Sequence, residues 1–170
     1  MGGERAVWFG RQFTLFRTFI IGNILPSAYS HWVDSDATLG SCLCGSFQFE
    51  IRGQLGDVWL CHCDLCRKAN GSAYSANSKV ALDQFKIISQ TSPMAKYESS
   101  PGAWKHFCST CGSPAYSLVE WDPDYVRIRL GLLQRDAKAL VVGHVWTGSK
   151  AEWDQILDQL PKLETGAKPG

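Results

Sequence analysis

Cys61-His62-Cys63-Asp64-Leu65-Cys66 packs three cysteines into six residues, and the other four stand in two further pairs, Cys42-Leu43-Cys44 and Cys108-Ser109-Thr110-Cys111. No cysteine lies outside these groups. Such clustering reads as metal chemistry. In an extended C-x-C the two thiols share one face because side chains alternate, and a C-x-x-C turn brings two sulfurs onto one ion. A structural zinc site is closed by four protein ligands, whereas a catalytic one keeps three and leaves a position open. Seven cysteines divide into four and three, so one closed and one open site is the expectation. Cys42 and Cys44 with Cys108 and Cys111 would tie an early strand to a late one, and Cys61, Cys63 and Cys66 would hold a second ion. His62 points away from its neighbours in an extended segment. Asp64 and His106 are further candidates for the fourth position, so a site closed by three cysteines and a histidine competes with an open one.

Working outward, 170 residues fit one domain. With 45% hydrophobic and 19% charged residues, the composition is that of a globular chain with a core. A net charge of +1 gives no field for polyanions, so nucleic acid is not expected as a partner. An odd number of cysteines at chelating intervals fits reduced thiols in a cytoplasmic setting better than a disulfide framework.

Residues 1–37 differ in texture. Arg5, Arg11 and Arg17 punctuate an aromatic stretch in which Phe9, Phe13, Phe16, Ile20 and Ile24 recur near helical spacing. Arg17 and Pro26 leave too few consecutive apolar residues for the roughly 20 of a membrane span. An amphipathic extension, with the composition of a transit peptide or of an upstream reading frame, is the expectation. From Thr38 short strand-like runs follow, the clearest being Phe47, Phe49 and Ile51 alternating with Gln48, Glu50 and Arg52. Val58 to Leu60, Ala76 to Ala81, Phe85 to Ser89, Ala95 to Glu98, Ala115 to Glu120, Tyr125 to Leu130 and Val141 to Trp146 are the other candidates. Lys150 to Leu160 predicts the one helix, with Ala151, Trp153, Ile156, Leu157 and Leu160 as its apolar face and Pro161 as its stop. Trp146 and Trp153 are expected in the core. Residues 38–164 would form the domain, and 165–170 a flexible tail.

Three blocks also carry a resemblance: Gly40-Ser41-Cys42-Leu43-Cys44-Gly45, Cys61 through Ser72, and Phe107-Cys108-Ser109-Thr110-Cys111-Gly112-Ser113. They resemble the signature blocks of the glutathione-dependent formaldehyde-activating enzymes, a family that includes centromere protein V. The likeness runs from about Thr38 to Glu164. It implies a mainly β domain of the β-tent type, with structural zinc on Cys42, Cys44, Cys108 and Cys111 and a second zinc on Cys61, Cys63 and Cys66, the catalytic group. The implied activity is that of a carbon-sulfur lyase forming S-(hydroxymethyl)glutathione from glutathione and formaldehyde. A non-catalytic, zinc-stapled interaction module is the alternative. A redox-responsive thiol site that releases zinc on oxidation is a third reading.

Around the open site, Arg67 and Lys68 are candidates for the carboxylates of a glutathione-like thiol, and Gly71 and Ser72 for close backbone approach. A solvated charged turn accounts for the same residues. Trp104, Phe107 and Tyr74 are expected as pocket wall or core, His106 as a proton shuttle or metal-supporting donor, and His144 has no assigned role.

Overall fold

Phe47, Phe49 and Ile51 are fully buried, as their alternation requires, and they anchor a mainly β architecture. The computed structural model describes residues 37–135 and 137–166. The expected amphipathic extension over 1–36 and most of the expected tail lie outside the described residues. In chain order the elements are β1 (Thr38–Ser41), β2 (Phe47–Ile51), β3 (Val58–Cys61), α1 (Asp64–Asn70), β4 (Ser75–Ala81), β5 (Phe85–Gln90), β6 (Met94–Ser100), β7 (Ala103–Cys108), β8 (Pro114–Val119), β9 (Tyr125–Arg129) and β10 (Val141–Val145). They form a three-stranded sheet, β1-β2-β5, and a seven-stranded sheet, β10-β3-β4-β9-β8-β7-β6. Every pairing is antiparallel except β10 with β3.

The core joins the inner face of the small sheet to one face of the large one. Phe47, Phe49 and Ile51 meet Val80 of β4 and Val126 and Ile128 of β9, with Phe85 and Tyr116 packed against them. Ring centroids lie 5.3 Å apart for Phe49 and Phe85 and 6.0 Å for Phe47 and Tyr116, spacings at which aromatic pairs attract beyond their buried area. Because alternate residues of a strand face opposite ways, burying Val126 and Ile128 here sends Arg127 and Arg129 to the other face. That second face positions the functional site.

The expected helix over Lys150 to Leu160 does not form; its residues are turns and irregular chain, and the α-helix among the described residues is α1, inside the cysteine motif. Two local interactions outcompete the helix. The Asp158 carboxylate accepts from the Leu160 N–H at 2.9 Å, a side-chain bond to nearby backbone that offers an alternative to helical pairing. The following residues pair with β10: His144 N–H donates to Pro161 O, Leu163 N–H to His144 O and Trp146 N–H to Thr165 O. The apolar positions therefore gain no common face, and Trp153 and Leu157 are 71% and 82% exposed. Trp146, also expected in the core, is half exposed and sits at φ 59, in the left-handed region.

Candidate metal centre

Two cysteine clusters assemble from the three sequence groups. Cys42 and Cys44 leave β1 into the turn before β2, and Cys108 and Cys111 bracket the turn between β7 and β8. The four sulfurs lie within 4.8 Å of one another. Backbone bonds shape both turns: Gly45 N–H donates to Cys42 O at 3.0 Å and Gly112 N–H to Cys108 O at 2.8 Å. Sulfur separations are 3.5 Å for Cys42–Cys44 and 3.8 Å for Cys44–Cys108. A tetrahedral ion bonded to sulfur at about 2.3 Å sets ligand edges of roughly 3.8 Å, so the donor set fits a closed four-thiolate site. Hydrogen bonding from Ser113 lowers the Cys111 thiol to about 5, which favours the thiolate a metal requires.

Cys61, Cys63 and Cys66 form the second cluster, again with their sulfurs within 4.8 Å. Cys61 ends β3, Cys63 caps α1, and Cys66 lies one turn inside it; Cys66 N–H and Arg67 N–H both donate to Cys63 O at 3.0 Å. Cys61 Sγ stands 3.6 Å from Cys63 Sγ. The Cys63 thiol is held far down, at about 2, because its sulfur accepts from Cys61 and Cys66. Cys61 is pushed up by donating to those neighbours and by burial. Three crowded sulfurs oppose one another's ionisation, and a divalent cation is what lets all three ionise. Among the described residues no His, Asp or Glu joins this group, so Asp64, His62 and His106 do not complete a fourth position.

The ring of His62 is fully buried on the other side of the motif. Its Nε2 is 2.9 Å from His144 Nδ1, and His144 Nε2 is 3.0 Å from Asp158 Oδ2. The partners assign the tautomers: His144 Nε2–H donates to the carboxylate and His62 Nε2–H donates to His144. That leaves His62 Nδ1 without a proton, 3.5 Å from Asp154 and unpartnered among the described residues. Burial, with His144 beside it, lowers the His62 pKa and keeps the ring neutral. His106 instead stacks on Tyr116 at 4.4 Å, and burial lowers its pKa also.

Beneath the three-cysteine cluster lies the polar face of the large sheet. Register places Cys61 opposite Ser75, Asn77 opposite Arg129, Ser117 opposite Arg127, and Lys105 opposite Ser117. These side chains therefore share one face across five strands. Ser75 Oγ donates to Asn77 Oδ1 at 2.9 Å, Arg129 donates to Asn77 Oδ1 at 2.7 Å and to Ser117 Oγ at 2.6 Å, and Lys105 Nζ donates to Leu65 O at 3.3 Å. Lys105 Nζ also lies 3.8 Å from Cys66 Sγ, returning the network to the cluster. Arg129 and Lys105 are 7% and 9% exposed. Burial draws the Arg129 pKa below its ordinary value, opposed by the sulfurs of Cys66 and Cys61.

Sequence reasoning missed both cations. In a lone strand an alternating Arg reads as solvent-facing, and only the seven-strand register shows what covers it. The other expected contacts divide. Arg67 is engaged within the motif, donating to Asp64 and, at 3.2 Å, to His62 O. Lys68 is exposed, 3.8 Å from Asp64. Gly71 ends α1 at φ 61, where a side chain is strained, and its N–H donates to Arg67 O. Ser72 lines a cavity of about 620 Å³ bounded also by Asn70, Ser75, Cys42, Ser113 and Arg129. Asn70 donates to Cys66 O at 2.7 Å, so the cavity wall runs from Cys42 to the helix that carries Cys66.

A family model described as glutathione-dependent formaldehyde-activating enzyme matches residues 37–149. The chain belongs to this family. An uncharacterized lyase of Schizosaccharomyces pombe is 31% identical over 77 residues, covering 45% of this chain. The chain spans about half of that relative, 54% of its length. A crystal structure of a Rhodobacter sphaeroides protein superposes with a TM-score of 0.52 at 19% identity, covering 63% of this chain and 99% of that one. That likeness extends to the fold alone. Both cysteine clusters of this family member are able to hold metal.

Proposed function

We propose that this protein is a zinc-dependent carbon-sulfur lyase of the S-(hydroxymethyl)glutathione synthase kind, joining a glutathione-type thiol to formaldehyde or a related aldehyde. The observation that carries the reading is the three-cysteine cluster, which gathers three sulfurs and no fourth described ligand; Asn70, bonded to Cys66 O, lines a cavity large enough for a small peptide. Cys42, Cys44, Cys108 and Cys111 would hold a structural zinc, and Cys61, Cys63 and Cys66 a second one. When bound there, zinc supplies the positive charge that keeps a thiol deprotonated at neutral pH.

The chain's own residues prepare the site. Lys105 and Arg129 set positive charge beneath Cys66 and Cys61, favouring an anionic sulfur in the remaining position. Ser72, Asn70 and Ser113 offer hydroxyl and amide groups along the cavity wall to the peptide part of the thiol. Seven cysteines at chelating intervals, none in a disulfide, support a reducing, cytoplasmic setting for such an enzyme. No described helix is long and apolar enough to cross a membrane.

The test is zinc content of wild type and Cys63→Ser, measured together with glutathione–formaldehyde exchange by NMR. We expect two zinc ions per chain to fall to one and catalysed exchange to drop to the uncatalysed rate. Exchange unchanged in Cys63→Ser defeats the proposal.

A further inference from the structure

Arg129 borders two cavities. On one side is the large cavity; on the other is a smaller compartment of about 280 Å³ between α1 and the polar face of the large sheet, and Pro114 and Arg129 border both. Lys68 and Ala69 of α1 form one wall of the small compartment, and Tyr97, Lys105 and Phe107 form its floor. The lining holds three cations, Lys68, Lys105 and Arg129, and no acidic side chain.

Two of these cations are more than nine-tenths buried. Neither forms an ion pair with a carboxylate among the described residues. Arg129 spends its terminal nitrogens on Asn77, Ser117 and the Arg127 carbonyl, while its buried Nε has no partner. A buried charge ordinarily has an opposite charge beside it, because desolvation is otherwise uncompensated. The sulfurs answer only part of the charge in this lining: three thiolates and a substrate thiolate around a divalent ion carry two negative charges, against three cations, Lys68, Lys105 and Arg129. The compartment is also several times the roughly 30 Å³ that a water molecule occupies in the liquid, far more room than a one-carbon aldehyde fills.

We propose that the small compartment binds the carboxylate of the carbonyl partner, so that the acceptor is a small oxo acid rather than an unsubstituted aldehyde. This rests on the thiol-adding reaction proposed above and names its second substrate. Arg129 and Lys105 receive the carboxylate, Lys68 guards the mouth, and the carbonyl carbon is held toward Cys66, 3.8 Å from Lys105 Nζ. The thiol sulfur bonds to that carbon, the carbonyl π pair moves to oxygen, and the oxygen takes up the proton the thiol gave up. The product is a 2-hydroxy-2-thio acid, and nothing is oxidised or reduced.

The experiment uses the zinc-loaded full chain in two arms. In the first, acetate is titrated against acetamide, its neutral counterpart, while the amide signals of Ala69, Phe107 and Gly112 are followed by NMR. Saturable shifts at least tenfold tighter for acetate are expected; Arg129→Gln abolishes them, and Lys68→Glu, at an exposed position that does not challenge folding, weakens them about threefold or more. In the second arm, glutathione addition to glyoxylate and to formaldehyde is compared with each uncatalysed rate. The enhancement is expected to be at least tenfold larger for glyoxylate. Acetate shifts that are absent, match those of acetamide, or survive both substitutions overturn the inference, and formaldehyde turnover in that case leaves the proposed function standing. Specific acetate binding with no catalysed addition to either carbonyl supports the anion site and defeats the proposed reaction. An equal or greater enhancement for formaldehyde overturns the substrate assignment.

Discussion

Removing both ligands of the Cys108–Cys111 turn should loosen the fold far more than opening the three-cysteine cluster. The difference follows from chain length. A metal joining Cys44 to Cys108 closes a loop of 64 residues, whereas Cys61 to Cys66 spans a single turn. If a metal bridge restrains the unfolded chain as a covalent cross-link does, the long loop is worth about 4 kcal/mol and the short one about 2 kcal/mol. For a domain of this size each kcal/mol moves the melting temperature by roughly 2–4 °C. Cys108→Ala/Cys111→Ala is therefore expected to melt about 8–16 °C below wild type and to lose one zinc. Cys63→Ser should lose the other zinc and shift by less than about 8 °C. Thermal melts followed by circular dichroism, paired with metal analysis by mass spectrometry, read both quantities. A double variant that melts within about 3 °C of wild type, or that keeps both ions, refutes the assignment of the four-cysteine centre as the staple of the fold.

Three further outcomes follow from the packing and the charges. Phe49→Ala empties a fully buried position of β2 in the core cluster, and urea denaturation should show a loss of about 3–5 kcal/mol; a loss below about 1 kcal/mol contradicts the core described. His144→Leu leaves His62 Nε2 without its partner, and chemical denaturation should register a cost of about 1–3 kcal/mol with zinc content unchanged, whereas a neutral result removes the buried histidine pair as a stabilising element. Burial alone would raise the Asp122 carboxyl, but Lys79 at 3.0 Å and Arg127 at 2.6 Å outweigh it and hold its pKa below the usual carboxylate value. A depressed folded-state value stabilises the protein above the unfolded pKa near 4, and that contribution is lost as pH falls through the folded one. Asp122→Asn should cost about 0.5–1 kcal/mol at pH 7 and progressively less as pH is lowered below about 4, and a cost that does not change with pH excludes the charge pairs as its source.

The strands that were legible in the sequence are those whose alternation matches a one-sided core. Phe47, Phe49 and Ile51 of β2, and Val126 and Ile128 of β9, put apolar residues on every second position because a single face is buried. β7 escaped notice because Trp104 through Phe107 alternate nothing apolar: Lys105 is buried against a sulfur and a helix carbonyl, a setting no local pattern encodes. α1 has seven residues and buries none, so it carries no apolar stripe. The false helix at Lys150 to Leu160 had the stripe but lacked a surface to bury it on. Metal-binding candidates were plain from spacing alone, since chelation needs particular residue types a few positions apart. Arg129 and Lys105 lie far from the cysteines in sequence, and their place beneath the cluster exists only through sheet register.

The edge of β10 has a practical consequence for anyone trimming this gene. The family model's match ends at residue 149, and a boundary drawn there would discard 150–166, which look like an ornament. That stretch caps the exposed rim of β10 and brings Asp158 to His144. A chain ending at Ser149 would lay bare a strand rim facing water, with its hydrogen-bonding groups free to recruit a neighbouring molecule. Shortened versions should consequently precipitate or self-associate while retaining every cysteine.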